Sequence, residues 1–128
     1  MKEQGVVLIV EDSDTCAATL EIAVLAVPGI AVARASSAAE ALRMLENGPV
    51  RAMITDLQMP RMDGFELLQK IRSDPRHEGL PVVVVSGDPD PRNPDRANRL
   101  GASAYFTKPF SPAQVRHKLE ELLNGPAP

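Results

Sequence analysis

The sequence predicts one α/β domain, (βα)5, built on a doubly wound parallel sheet of strand order 2-1-3-4-5. Short β-branched runs bounded by turn residues alternate with longer stretches of helical period, the pattern of parallel strands joined by crossover helices. Two runs, Val6–Val10 and Val82–Val85, are apolar without interruption, as strands covered on both faces are. The chain has 128 residues, 44% of them hydrophobic and 24% charged, which suffices for one packed unit and leaves no room for a second.

The elements follow in order. Strand Val6–Val10 leads to a helix from about Ser13 to Val27 that is apolar almost all round. Cys16, Leu20 and Ala23 are assigned to its core face, and Ala18, Ile22 and Leu25 to a partly exposed one. After strand Ile30–Arg34, Ser37 and Glu40 form a capping box, and Ala38, Ala41, Leu42 and Leu45 recur at helical spacing until Gly48 and Pro49. Strand Ala52–Thr55 precedes a third helix capped by Asp63, with Phe65, Leu68 and Ile71 inward. Strand Val82–Val85 is followed by Pro89, Pro91 and Pro94. A short helix then runs between Asn93 and Leu100, with Asn93 as cap and Pro94 in the first helical position. Strand Ala104–Phe106 and a helix opened by Ser111, Pro112 and Gln114, with Val115, Leu119, Leu122 and Leu123 as its stripe, complete the domain. It is bounded at 1–124, and 125–128, Gly-Pro-Ala-Pro, is a short tail. Right-handed crossovers leave 2-1-3-4-5 as the order of choice at this size.

A net charge of −3 argues against a nucleic-acid surface, since neutralising phosphates requires a basic stripe. No run approaches the roughly 20 apolar residues of a membrane span, and the Met-Lys-Glu-Gln start is no signal peptide. A single cysteine, Cys16, allows no internal disulfide, which fits a cytoplasmic protein, and is read as a small core residue.

The chemistry is expected at the carboxyl ends of strands 1 and 3, where the strand order reverses. Glu11 and Asp12 follow strand 1, and Asp56 closes strand 3. Three carboxylates packed together repel unless a cation sits among them, and an oxygen-only set suits Mg2+. Strand 4 ends in Ser86 and strand 5 is followed by Lys108, a hydroxyl and an ammonium suited to phosphoryl oxygens. Each residue alone is an ordinary turn or surface residue. Together they supply what in-line attack on phosphorus by an Asp56 oxygen requires. Gln58 and Asp88 stand two residues beyond Asp56 and Ser86, beside the path of an attacking water, and are assigned to tuning the phospho-lifetime.

The segments Val10-Glu11-Asp12, Thr55-Asp56-Leu57-Gln58-Met59-Pro60-Arg61-Met62-Asp63-Gly64, Ser86-Gly87 and Gly101 to Phe110, with Lys108-Pro109, resemble the receiver domain of two-component response regulators. The likeness, to the chemotaxis-regulator type and its flavodoxin-like fold, runs from about Val6 to Leu123. It implies that Asp12, Asp56 and the backbone carbonyl of Gln58 ligate Mg2+, with Glu11 direct or through water. It further implies a cis Lys108-Pro109 bond, a close backbone turn at Gly64, and Ser86 and Tyr105 as the switch pair. The implied partner is a histidine kinase or histidine phosphotransfer protein, docking near the first helix. Output is expected through the face of helix 4, strand 5 and helix 5, where a homodimer can also form. Such a domain is no enzyme in the usual sense, since it accelerates only its own phosphoryl transfer and dephosphorylation. The alternative is a haloacid-dehalogenase-like phosphohydrolase with a nucleophilic Asp, but Gln58 occupies the position of the acid it needs. A cofactor-binding reading lacks a glycine-rich loop after strand 1.

Overall fold

The computed structural model describes residues 5–124, so the assigned tail lies outside the described residues. Ten elements alternate: β1 (Gly5–Val10), α1 (Asp14–Leu25), β2 (Ile30–Ala35), α2 (Ala38–Asn47), β3 (Ala52–Asp56), α3 (Gly64–Ser73), β4 (Val82–Ser86), α4 (Asn93–Arg99), β5 (Ala104–Thr107) and α5 (Pro112–Asn124). All pairings are parallel and the order is β2-β1-β3-β4-β5, as the sequence predicts.

The uninterrupted apolar strands are explained by two cores. Val7 and Ile9 pack with Ala17, Leu20 and Val24 of α1 and Val115 and Leu119 of α5. Leu8 and Val10 point the other way, to Ala38, Ala41 and Leu45 of α2, Phe65, Leu68 and Ile71 of α3, and Ala97 of α4. A strand's period of two therefore meets apolar neighbours on both sides.

Ser37 accepts from the Glu40 N–H, but the expected box is only half made, because the Glu40 carboxylate accepts from the N–H and hydroxyl of Ser36 and not from the Ser37 N–H. The reciprocal box forms at α3 between Asp63 and Glu66. Two further assignments are corrected. Cys16 is not a core residue but half-buried, because Ala17, Leu20 and Val24 set the phase of α1 and turn Cys16 to its flank. Asn93 does not cap α4. The N-cap is Arg92 and Asn93 is already helical, because the upstream carboxylate of Asp90 takes the Arg92 N–H at 3.0 Å. The fourth helix is short, as expected, at 7 residues.

A clamp invisible in the sequence ties the far ends of these elements. The Arg72 guanidinium donates to the carbonyls of His77, Leu80 and Gly101, at 2.9 Å, 2.6 Å and 2.8 Å. Gly101 meets it with φ at 101°, in the left-handed region where a side chain would be strained.

Candidate functional site

Parallel strands end on one edge, and this edge gathers the predicted residues. The Glu11 N–H continues the β1–β2 ladder onto Ala35 O at 3.0 Å, which turns its side chain inward to 2% exposure. Asp56, the last residue of β3, lies opposite Val85 and is 4% exposed. Asp12 is exposed, yet one oxygen from each of Glu11, Asp12 and Asp56 falls within 4.8 Å of the others. The Lys108 N–H extends the β4–β5 pairing to Ser86 O at 2.8 Å. Its Nζ donates to Asp56 Oδ2 at 2.9 Å and to Glu11 Oε1 at 3.2 Å, and the Lys108-Pro109 bond is cis. The second Asp56 oxygen accepts the Gln58 N–H at 3.1 Å.

Burial, followed by the negative charge of Asp56, raises the Glu11 carboxyl above its ordinary range; the Ser13 N–H and Lys108 act against this. Burial works against the Lys108 ammonium, but its bond to Asp56 and the charges of Asp56 and Glu11 outweigh it and hold it protonated. One ammonium among three carboxylates leaves a surplus of negative charge and only oxygen donors. That fits a hard divalent cation, which would relieve the Asp56 charge that, after burial, raises Glu11. Cys16, missed as a neighbour of this site, has its thiol raised by burial and by Glu11.

Ser86 is fully buried, and its Oγ accepts the Asp88 N–H at 3.0 Å. Tyr105 lies two residues before Thr107, the partner of Ser86 in the β4–β5 register. Its ring packs half-buried on the α3–α4 side, and its hydroxyl is enclosed without a hydrogen-bond partner among the described residues. Gln58 and Asp88 line one cavity of about 370 Å3 with Asp90, Asn93 and Arg96, between the β3–α3 and β4–α4 loops. Gly64 begins α3 directly against β3, and a Cβ there would lie 2.5 Å from Asp56 O.

The family model described as the response regulator receiver domain matches residues 7–120. The chain is 32% identical to a chemotaxis protein CheY homolog of Campylobacter jejuni over 117 residues, 91% of this chain and 90% of that one. It is 31% identical to chemotaxis protein CheY1 of Helicobacter pylori, again over 91% of this chain and 94% of the relative. Among solved structures it is similar to the signal receiver domain of a signal transduction histidine kinase from Syntrophus aciditrophicus. The TM-score is 0.85 and the identity 32%, covering 94% of this chain and 91% of the other. A response regulator receiver protein from Pseudomonas putida gives a TM-score of 0.84 at 28% identity, covering 94% and 98%.

Proposed function

The chain belongs to the response regulator receiver domain family, a signalling family of two-component systems, and on that premise we propose that Asp56 accepts a phosphoryl group from a histidine kinase or histidine phosphotransfer protein. The observation that carries this reading is the ammonium of Lys108, 2.9 Å from a nearly buried Asp56 carboxylate at the switch point of the sheet. An Asp56 oxygen forms the new O–P bond as the P–N bond of the donor phosphohistidine breaks, its electron pair leaving with the imidazole. As a carboxylate, Asp56 needs no base to attack. Lys108 and the Ser86 hydroxyl then donate to the phosphoryl oxygens, which stabilises charge on them. Glu11, Asp12, Asp56 and the Gln58 carbonyl are the residues to hold Mg2+, which when bound supplies positive charge to the transferring group. Gln58 and Asp88, each two residues beyond Asp56 and Ser86, line one cavity between the two loops, and their substitution would be read in the rate of dephosphorylation.

The phosphohydrolase alternative is weaker, since its fold-level support is absent from the family match and Gln58 stands where its acid belongs. Ser86 and Tyr105 are the proposed switch pair. The α4–β5–α5 face is the proposed output surface and the site of any homodimer, Pro109 and Gly64 are supports, and the domain is residues 1–124. No helix among the described residues is long and apolar enough to cross a membrane, and the net charge of −3 speaks against direct nucleic-acid binding. A cytoplasmic location completes the proposal.

Magnesium is expected to stabilise the fold, because an ion bound only by the native state adds RT ln(1 + [L]/Kd). At roughly ten millimolar Mg2+ and a Kd on the order of one millimolar the gain is about 1.4 kcal/mol, or some ~5 °C in melting temperature. A melting curve unmoved by Mg2+, or moved equally in Asp12→Ala, would remove the metal from this edge.

Ile22 and Leu25 are 70% and 57% exposed on α1, an apolar surface suited to a partner helix. Ile22→Glu is expected to slow transfer from the histidine partner at least tenfold, the size of a central contact of about 1.4 kcal/mol. Labelling by acetyl phosphate should continue at the wild-type rate; parallel loss of both would show that the substitution acts on the fold.

A further inference from the structure

The β4–α4 loop is built as a ladder. The Asp88 N–H donates to Ser86 Oγ, the Asp90 N–H to Asp88 Oδ1 and the Arg92 N–H to Asp90 Oδ1, each at 3.0 Å. Every rung spans two residues, and the residues between are Gly87, Pro89 and Pro91. A proline has no N–H with which to compete for a rung, and its fixed φ stiffens the chain between rungs. The last rung is held by the Arg92 guanidinium, whose Nε and Nη2 reach the two Asp90 oxygens at 3.0 Å and 2.8 Å. Arg92 is in turn the N-cap of α4, and its carbonyl accepts the Arg96 N–H at 3.0 Å. Three side-chain acceptors thus connect the Ser86 hydroxyl to the first turn of a helix.

Resting on the phosphoacceptor reading above, we propose that Ser86 to Arg92 is a strut that carries displacement of the Ser86 hydroxyl into α4, with Asp90 as its central positioning residue. The chemistry of a hydroxyl permits this. Ser86 can donate its proton to a phosphoryl oxygen while its lone pairs still accept from Asp88, so the new bond moves the first rung without breaking it. The bond from Arg92 holds the Asp90 carboxyl down at about 2, so it stays an anionic acceptor at any working pH. Asp90's own Arg92 is the charged group that faces it most directly, with Asp88 the next carboxylate along the ladder.

The far end is poised to respond. Asn93, the first residue of α4, is 7% exposed and its Nδ2 has no acceptor among the described residues. It borders the cavity that Gln58, Asp88 and Asp90 also line. One turn on, the Arg96 guanidinium rests 4.1 Å from the Phe65 ring centroid of α3, a contact that can slide without being lost. A loop that merely refolded would absorb the motion of Ser86; a braced one delivers it.

The test uses the full chain, with Mg2+ and beryllofluoride as the acyl-phosphate mimic and backbone amide chemical shifts as the readout. Wild type is expected to shift at Gln58 and Ser86 and also through Arg92 to Leu100. Asp90→Ala should keep the shifts at Gln58 and lose those in α4. Asp90→Asn retains the Oδ1 acceptor and should restore them, and Arg92→Ala, which keeps its N–H, should largely preserve them. Shifts in α4 of Asp90→Ala equal to wild type would overturn the strut, as would Asp90→Asn behaving like Asp90→Ala. A wild-type chain with no response at Gln58 would instead overturn the phosphoacceptor reading and the strut with it. Far-ultraviolet circular dichroism of each variant separates loss of coupling from loss of fold, and Asp90→Asn carries the decision should Asp90→Ala unfold.

Discussion

Asp56→Asn is expected to abolish phosphoryl uptake from acetyl phosphate in the presence of Mg2+, while wild type gains one hydroxylamine-labile phosphoryl group by intact mass. A carboxylate brings its delocalised negative charge to the phosphorus; a neutral amide does not, and its acyl phosphate cannot form. The substitution is close to isosteric at a residue that is 4% exposed, so packing is kept. Gln58 can still donate to the amide oxygen, and Lys108 retains Glu11 at 3.2 Å. Removing the Asp56 charge relieves the repulsion that helps raise Glu11 but also takes from Lys108 its 2.9 Å acceptor, two opposed effects on the metal-free melting temperature; the response of the variant to Mg2+ should shrink. Labelling of Asp56→Asn at the wild-type rate would move the acceptor elsewhere.

Gly64→Ala is expected to lower stability by about 1–3 kcal/mol, or roughly 5–15 °C in melting temperature, through overpacking against backbone. The added Cβ would sit 2.5 Å from Asp56 O and 2.8 Å from Leu57 Cα, atoms that cannot swing aside as a side-chain end can. Gly64 N–H also donates to Leu57 O at 2.9 Å, so the conflict can be relieved only by prising α3 away from the end of β3. Alanine's better helix propensity, about 1 kcal/mol at most, does not compensate at a first-turn position. Because the displaced carbonyl belongs to Asp56, phosphorylation should slow as well. Gly48→Ala is the matched control: nothing lies within 4 Å of its Cβ and its backbone is extended, so its melting temperature should hold close to wild type. A Gly64→Ala protein as stable as this control would show that the contact between α3 and β3 is loose.

The sequence by itself determined which segments are strands, how they are ordered and which edge gathers the carboxylates, the hydroxyl and the lysine. Those properties rest on local signals: unbroken apolar runs for strands covered on both faces, caps and prolines at helix starts, and crossover handedness, which leaves few arrangements. Once the order is known, Glu11, Asp12, Asp56, Ser86 and Lys108 must share one edge, because parallel strands end on the same side. What the tertiary structure decided is direction and distance. The rotational phase of α1, and with it the place of Cys16, is set by which of its apolar faces the sheet accepts, and an almost wholly apolar helix offers several. The start of α4 depends on which acceptor wins the Arg92 N–H, and the winner is the Asp90 carboxylate, not an Asn93 cap. The need for glycine at Gly64 arises from Asp56 and Leu57, which no local pattern relates to it. The carbonyls that Arg72 clamps come from segments up to 29 residues away. Hydrophobic period is written along the chain and can be read one segment at a time; hydrogen-bond choice and helix phase are competitions among groups that meet only when the two cores close.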